Sequence, residues 1–110
     1  MIKRLNNKNL HILIVDDKEK KVFIAHCLDM DIAAQGKTSN EAIAELKELI
    51  ISQIEYCLDN DMLDSVFRAA PKIYWDMFYR SQAIGIVNQL SLHRKNIIKD
   101  LTKNLEFAYA

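Results

Sequence analysis

The residues that could do chemistry fall in two short stretches of this 110-residue chain. The first is His26-Cys27, a pairing that would suit a metal site or a nucleophile with its base. Adjacent residues of a strand point to opposite faces, so within a strand these side chains can neither grip one ion nor share a proton. The pair therefore reads as local packing near a strand end. The second is the set Asp16, Asp17, Asp29 and Asp31. Carboxylates can hold the metal ions of a nuclease only when they converge from different elements. Asp16 and Asp17 instead open the charged run Asp16-Asp17-Lys18-Glu19-Lys20, where aspartate is expected as a turn former. The two glycines, Gly36 and Gly85, supply no phosphate-cradling loop. Cys27 and Cys57 lack a metal-ligand spacing and read as small buried hydrophobes in a reducing compartment. No catalytic residue, metal, cofactor or small-molecule substrate is expected, and the chain reads as a non-enzyme.

Binding is the chemistry that remains. Asp29 and Asp31 flank Met30 and offer an acidic complement to a basic partner. Tyr74, Trp75 and Phe78 are aromatic anchors of the kind that dominate interface energetics, and they read equally as core or as a dimer contact. These five residues form the candidate partner-binding set.

The charge balance limits what the partner can be. Fifteen basic residues offset fifteen acidic ones, so the electrostatic footprint of a nucleic-acid binder is missing and direct nucleic-acid binding is not expected. Residues 38–60 carry a net charge of −4 and residues 81–110 a net of +2, an asymmetry too small to argue DNA binding. Apolar stretches are too short to cross a bilayer, and the polar residues 6–9 follow the N-terminus where a signal peptide would have its apolar core. The expectation is a cytoplasmic protein with no membrane partner. Half the residues are hydrophobic, as in a globular domain, but a chain this short buries a modest core, which favours a homo-oligomer.

The elements that must position these residues follow from periodicity. Residues 10–15 are apolar except for His11 and rich in β-branched side chains, which predicts a well-covered strand. After the charged turn, residues 21–27 alternate, with Val22, Ile24 and His26 on one face and Phe23, Ala25 and Cys27 on the other. Residues 31–35 predict a shorter third strand closed by Gly36, giving an antiparallel meander. Thr38-Ser39-Asn40-Glu41 has the spacing of a capping box. Ala42, Ile43, Leu46, Leu49, Ile50, Ile54, Cys57 and Leu58 then recur at helical steps up to Asn60. This long helix should lie across one sheet face and make a two-layer α+β domain. Residues 62–68 fit either a helical turn or a short fourth strand at Ser65-Val66-Phe67. Pro71 introduces a second helix over residues 72–80, apolar on several sides and so expected to be buried on more than one. Residues 82–105 read as further helix, one or two pieces, interrupted near Gly85 or Ser91.

The stretch Phe23-Ile24-Ala25-His26-Cys27-Leu28-Asp29, followed by Ala34-Gln35-Gly36-Lys37-Thr38 and Glu41-Ala42, resembles the HicB-like antitoxin domain. The resemblance covers roughly residues 10–58. It implies a β-β-β-α core, often completed by one more short strand, a partial ribonuclease-H-like fold, with Ser65-Val66-Phe67 as the candidate for that strand. It also implies a partner: a HicA-like toxin that cleaves messenger RNA and is blocked by covering its active-site surface. Many such proteins carry a ribbon-helix-helix or helix-turn-helix segment that binds their operator, and residues 81–110 match neither. Arg68-Ala69-Ala70-Pro71 followed by Tyr74-Trp75 instead resembles stand-alone HicB-like proteins.

The expected organisation is thus a HicB-like domain over residues 1–70 and a helical C-terminal extension over 71–110. The expected function is an antitoxin-type protein-binding module. The alternative is an orphan homo-oligomeric structural or regulatory protein that has lost its toxin.

Overall fold

The computed structural model describes residues 9–81, 83–88 and 105–110. Its described elements run β1 (Leu10–Asp17), β2 (Val22–Cys27), β3 (Ile32–Gly36), α1 (Ser39–Asp59), a single 3-10 turn (Leu63–Ser65), α2 (Lys72–Arg80), β4 (Ala83–Asn88) and β5 (Leu105–Tyr109). The fold is α+β, and the three strands and the long helix expected before residue 60 are present in that order.

Two four-residue turns join the first three strands. Each ends on a residue in the left-handed region, Lys21 at φ 57° and Asp31 at φ 52°. Asp tolerates that conformation better than most side chains. α1 starts at Thr38, whose Oγ1 accepts the Glu41 backbone N–H at 3.1 Å. Gly36 is fixed by the helix that follows: a Cβ there would lie 2.6 Å from the Ala42 backbone nitrogen.

The sheet departs from an antiparallel meander. Its order is β3-β2-β1-β5-β4, with β5 parallel to β1 and every other neighbour antiparallel. β1 is thus the central strand, and covered on both faces it needs a nearly continuous apolar run. Leu10, Ile12 and Ile14 face α1 and join Leu46, Ile50, Ile54 and Phe107 in the main core. Leu13 faces the other way and packs with Leu28, Phe78 and Ala108 in a second, smaller core. α2 lies over β1 and β5 on this second face, so the described residues form three layers where two were expected.

Four further expectations are corrected. Ser65-Val66-Phe67 is not a strand: the 3-10 turn ends at Ser65 and the following residues run without regular structure. The helix expected over residues 82–105 is overturned at both ends, where β4 and the start of β5 stand; residues 82 and 89–104 lie outside the described residues. The near-helical spacing of Ile84 and Val87 cannot outweigh a β-branched hexapeptide with a glycine at its centre and a strand to pair with. The β4–β5 register shifts between Ile84 and Val87, around Gly85. Finally, α2 fully buries only Phe78 and leaves Ile73, Tyr74 and Tyr79 exposed. Leu49, expected in the buried stripe of α1, is also exposed.

Candidate functional site

His11 is the one polar side chain in the apolar run of β1, and it faces the α2 side of the sheet. The β1–β2 pairing continues one step past Cys27, with the Leu28 N–H donating to the His11 carbonyl at 2.9 Å. Asp29 then turns its carboxylate back into the molecule, where only 7% of the side chain is exposed. Its Oδ1 accepts the His11 backbone N–H at 2.6 Å, and its Oδ2 lies 3.1 Å from His11 Nδ1. The parallel register places Glu106 directly opposite His11, and Glu106 Oε2 lies 3.2 Å from Nε2. Both ring nitrogens face carboxylate oxygens, and only the imidazolium form can donate from both.

Aromatic rings close around the imidazole. Trp75 and Phe78 sit with centroids 5.1 and 5.2 Å away, Phe78 edge-on, with Tyr79 at 6.3 Å. The chain after the 3-10 turn braces the same place from behind: Arg68 and Ala70 donate their N–H groups to the carbonyls of Asp29 and Leu28. The Trp75 indole N–H reaches the Ala70 carbonyl at 3.1 Å. Three strands or turns and one helix therefore meet at His11.

A second, more exposed group lies on the same sheet face. His26 Nε2 is 2.9 Å from Asp31 Oδ1, and the Tyr74 ring stands edge-on to His26 at 4.9 Å. His26 and Cys27 do point to opposite faces. Cys27 is buried in the α1-side core, where burial, with the Asp29 charge adding to it, pushes the thiol up to about 12. That thiol is no nucleophile at neutral pH.

The structure divides the candidate binding residues in two. Asp29, Trp75 and Phe78 gather around His11, with Asp29 and Phe78 buried and Trp75 half-buried. Asp31 and Tyr74 are brought together by His26 at the surface. Asp16 and Asp17 lie at the opposite end of β1 from His11 and Asp29, roughly 17 Å away at the rise of a strand. Asp17 accepts the Lys20 N–H within its own turn. The four aspartates therefore do not converge, and among the described residues no group of three or more His, Cys, Asp or Glu side chains is placed to hold a metal ion. No helix among the described residues is long and apolar enough to cross a membrane.

His11 and Glu106 are the site residues that sequence reasoning passed over, and His26, considered there only together with Cys27, was assigned to local packing. For His11 the signal was present, a lone polar residue in a strand otherwise apolar. Glu106 gave none, because its partner is set by a parallel pairing between distant parts of the chain.

Comparison of the chain with family models, curated proteins and solved structures finds no match.

Proposed function

We propose that this chain is a non-enzymatic, HicB-like protein-binding module that neutralises a HicA-like messenger-RNA-cleaving toxin by covering its active-site surface. The observation that carries the reading is α2, a nine-residue helix that buries one side chain fully and leaves Ile73, Tyr74 and Tyr79 exposed. Large apolar side chains left outside both cores supply the anchors that a protein partner needs. Tyr74 stands beside the Asp31–His26 pair, which adds a carboxylate for a basic partner. Ile73, Asp76, Tyr79 and Arg80 line a shallow, open depression on the outer side of the helix. The reading draws on the β-β-β-α order, with Ala25-His26-Cys27 ending β2 and Gln35-Gly36-Lys37-Thr38 leading into α1, and does without the completing strand at Ser65-Val66-Phe67.

Within this reading Asp29, Trp75 and Phe78 support the surface from behind, and Asp31 and Tyr74 meet the partner. Affinity capture with the intact chain from its native host tests it. The expected catch is a small basic protein that cleaves RNA, lost when Tyr74→Ala and Asp31→Ala are combined. Recovery of this chain alone would favour the orphan oligomer.

A further inference from the structure

β3 is an edge strand: among the described residues its one neighbour is β2. Exposed edges invite pairing with another chain, and proteins ordinarily blunt them with lysines, prolines, bulges or a covering segment. The segment Ile32–Gly36 has none of the first three. It contains no charged residue and no proline, and its register against β2 runs unbroken from Cys27↔Ile32 to Phe23↔Gly36. At the other end of the sheet among the described residues, β4 is interrupted by a register shift. Ile24, Ala33, Ala34 and Gln35 line a shallow hollow that spans β2 and β3.

The charges stand just outside the strand, Asp31 before it and Lys37 after it, both exposed. We infer that β3 pairs antiparallel with the β3 of a second copy about a two-fold axis through Ala34. Asp31 and Lys37 flank the strand rather than belong to it, and in that register each Asp31 comes to the same end as Lys37 of the other copy. The pair then carries an opposite-charge contact at each end, with the Asp31 carboxylate shared with its own His26. Ala33 then faces Gln35, and Ile32 faces Gly36, which has no side chain to oppose it. A shift of two residues either way breaks both ion pairs, so charge fixes the register. Because a self-complementary contact uses the same patch twice, this closes as a dimer rather than a fibre. The axis runs perpendicular to the sheet, so both α2 helices lie on one side of a continuous sheet. The dimer does not rest on the toxin reading.

Sedimentation velocity on the intact chain across a concentration series tests the pairing. The wild-type chain is expected to show a monomer–dimer equilibrium. Lys37→Asp, which sets like charges opposite each other at both ends, should raise the dimer dissociation constant about tenfold. The double swap Asp31→Lys with Lys37→Asp should recover most of that loss, with far-UV circular dichroism reporting that each variant is folded. A wild-type chain that stays monomeric, or a dimer that Lys37→Asp leaves unchanged, would overturn the inference. Asp31 serves both proposed contacts, but Lys37 serves only this one: Lys37→Asp should weaken the dimer and leave capture of an RNA-cleaving partner unchanged, so the two proposals fail separately.

Discussion

Asp29 and Glu106 touch the same imidazole and should differ sharply in what their loss costs. The Asp29 carboxylate is nearly inaccessible and also satisfies the His11 backbone N–H, whereas Glu106 is 44% exposed. Removing a buried, hydrogen-bonded charge strands its partners, while a surface ion pair is screened by water. Asp29→Ala should therefore destabilise the chain by about 3 kcal/mol, and Glu106→Gln by about 0.5 kcal/mol, as read from urea unfolding midpoints. Cys27 gives a second prediction. Its thiol is held protonated up to about 12, well above the ordinary value of 9.0. Between those values the unfolded chain has lost the proton that the folded chain keeps, so stability is full below pH 9 and falls as pH rises towards 12. Native Cys27 should resist iodoacetamide at pH 8 and react once the chain is denatured. At this scale the sequence was legible where the neighbours were local. His26 and Cys27 point apart as the strand period requires, and Asp17 caps its own turn. Asp29 looked like a surface acid because nothing near it in sequence announces that His11 lies behind it.

The elements before residue 60 were legible because each carries its own signal. β1 has its apolar run, β2 its alternation, and α1 its Thr38 cap followed by Ala42, Leu46, Ile50, Ile54 and Cys57 on one stripe. Later elements carry weaker signals. β4 and β5 are each short, and both owe their state to pairing, β5 most of all because it inserts between β1 and β4. A period-based reading of residues 82–105 has no access to that partner. The turn from β3 into α1 is where an element-scale test is cleanest. Gly36→Ala would drive a methyl group into the backbone of the first turn of α1 and the Glu41 Cβ. Neither can yield without shifting the helix off the sheet, so the substitution should cost about 2 kcal/mol, measurable as a lower thermal midpoint with helix content retained.

At the scale of the whole molecule, the C-terminal segments contribute to both cores. Phe107 and Leu105 sit in the α1-side core, and Phe78 and Ala108 in the α2-side core, so β1 is flanked and covered by residues from beyond position 70. The expected boundary between residues 1–70 and 71–110 can be tested directly. A chain ending after Ala70 loses the strand beside β1 and the layer over Leu13 and Leu28. It should show no cooperative thermal transition by circular dichroism, whereas a self-sufficient N-terminal domain would melt sharply. The same layering explains why α2 is the face offered outward. Its buried side is spent on Phe78 and on parts of Trp75 and Met77, and among the described residues no further layer covers Ile73, Tyr74 and Tyr79.

The measurement that bears most directly on the proposed function is a titration of this chain into an RNA-cleavage reaction run by its captured partner. A module that covers the active-site surface should stop cleavage at about one equivalent, and Tyr74→Ala should shift that endpoint to higher ratios while the chain stays folded. Cleavage that continues unchanged at a large excess, or RNA cleavage by this chain alone, would contradict the account.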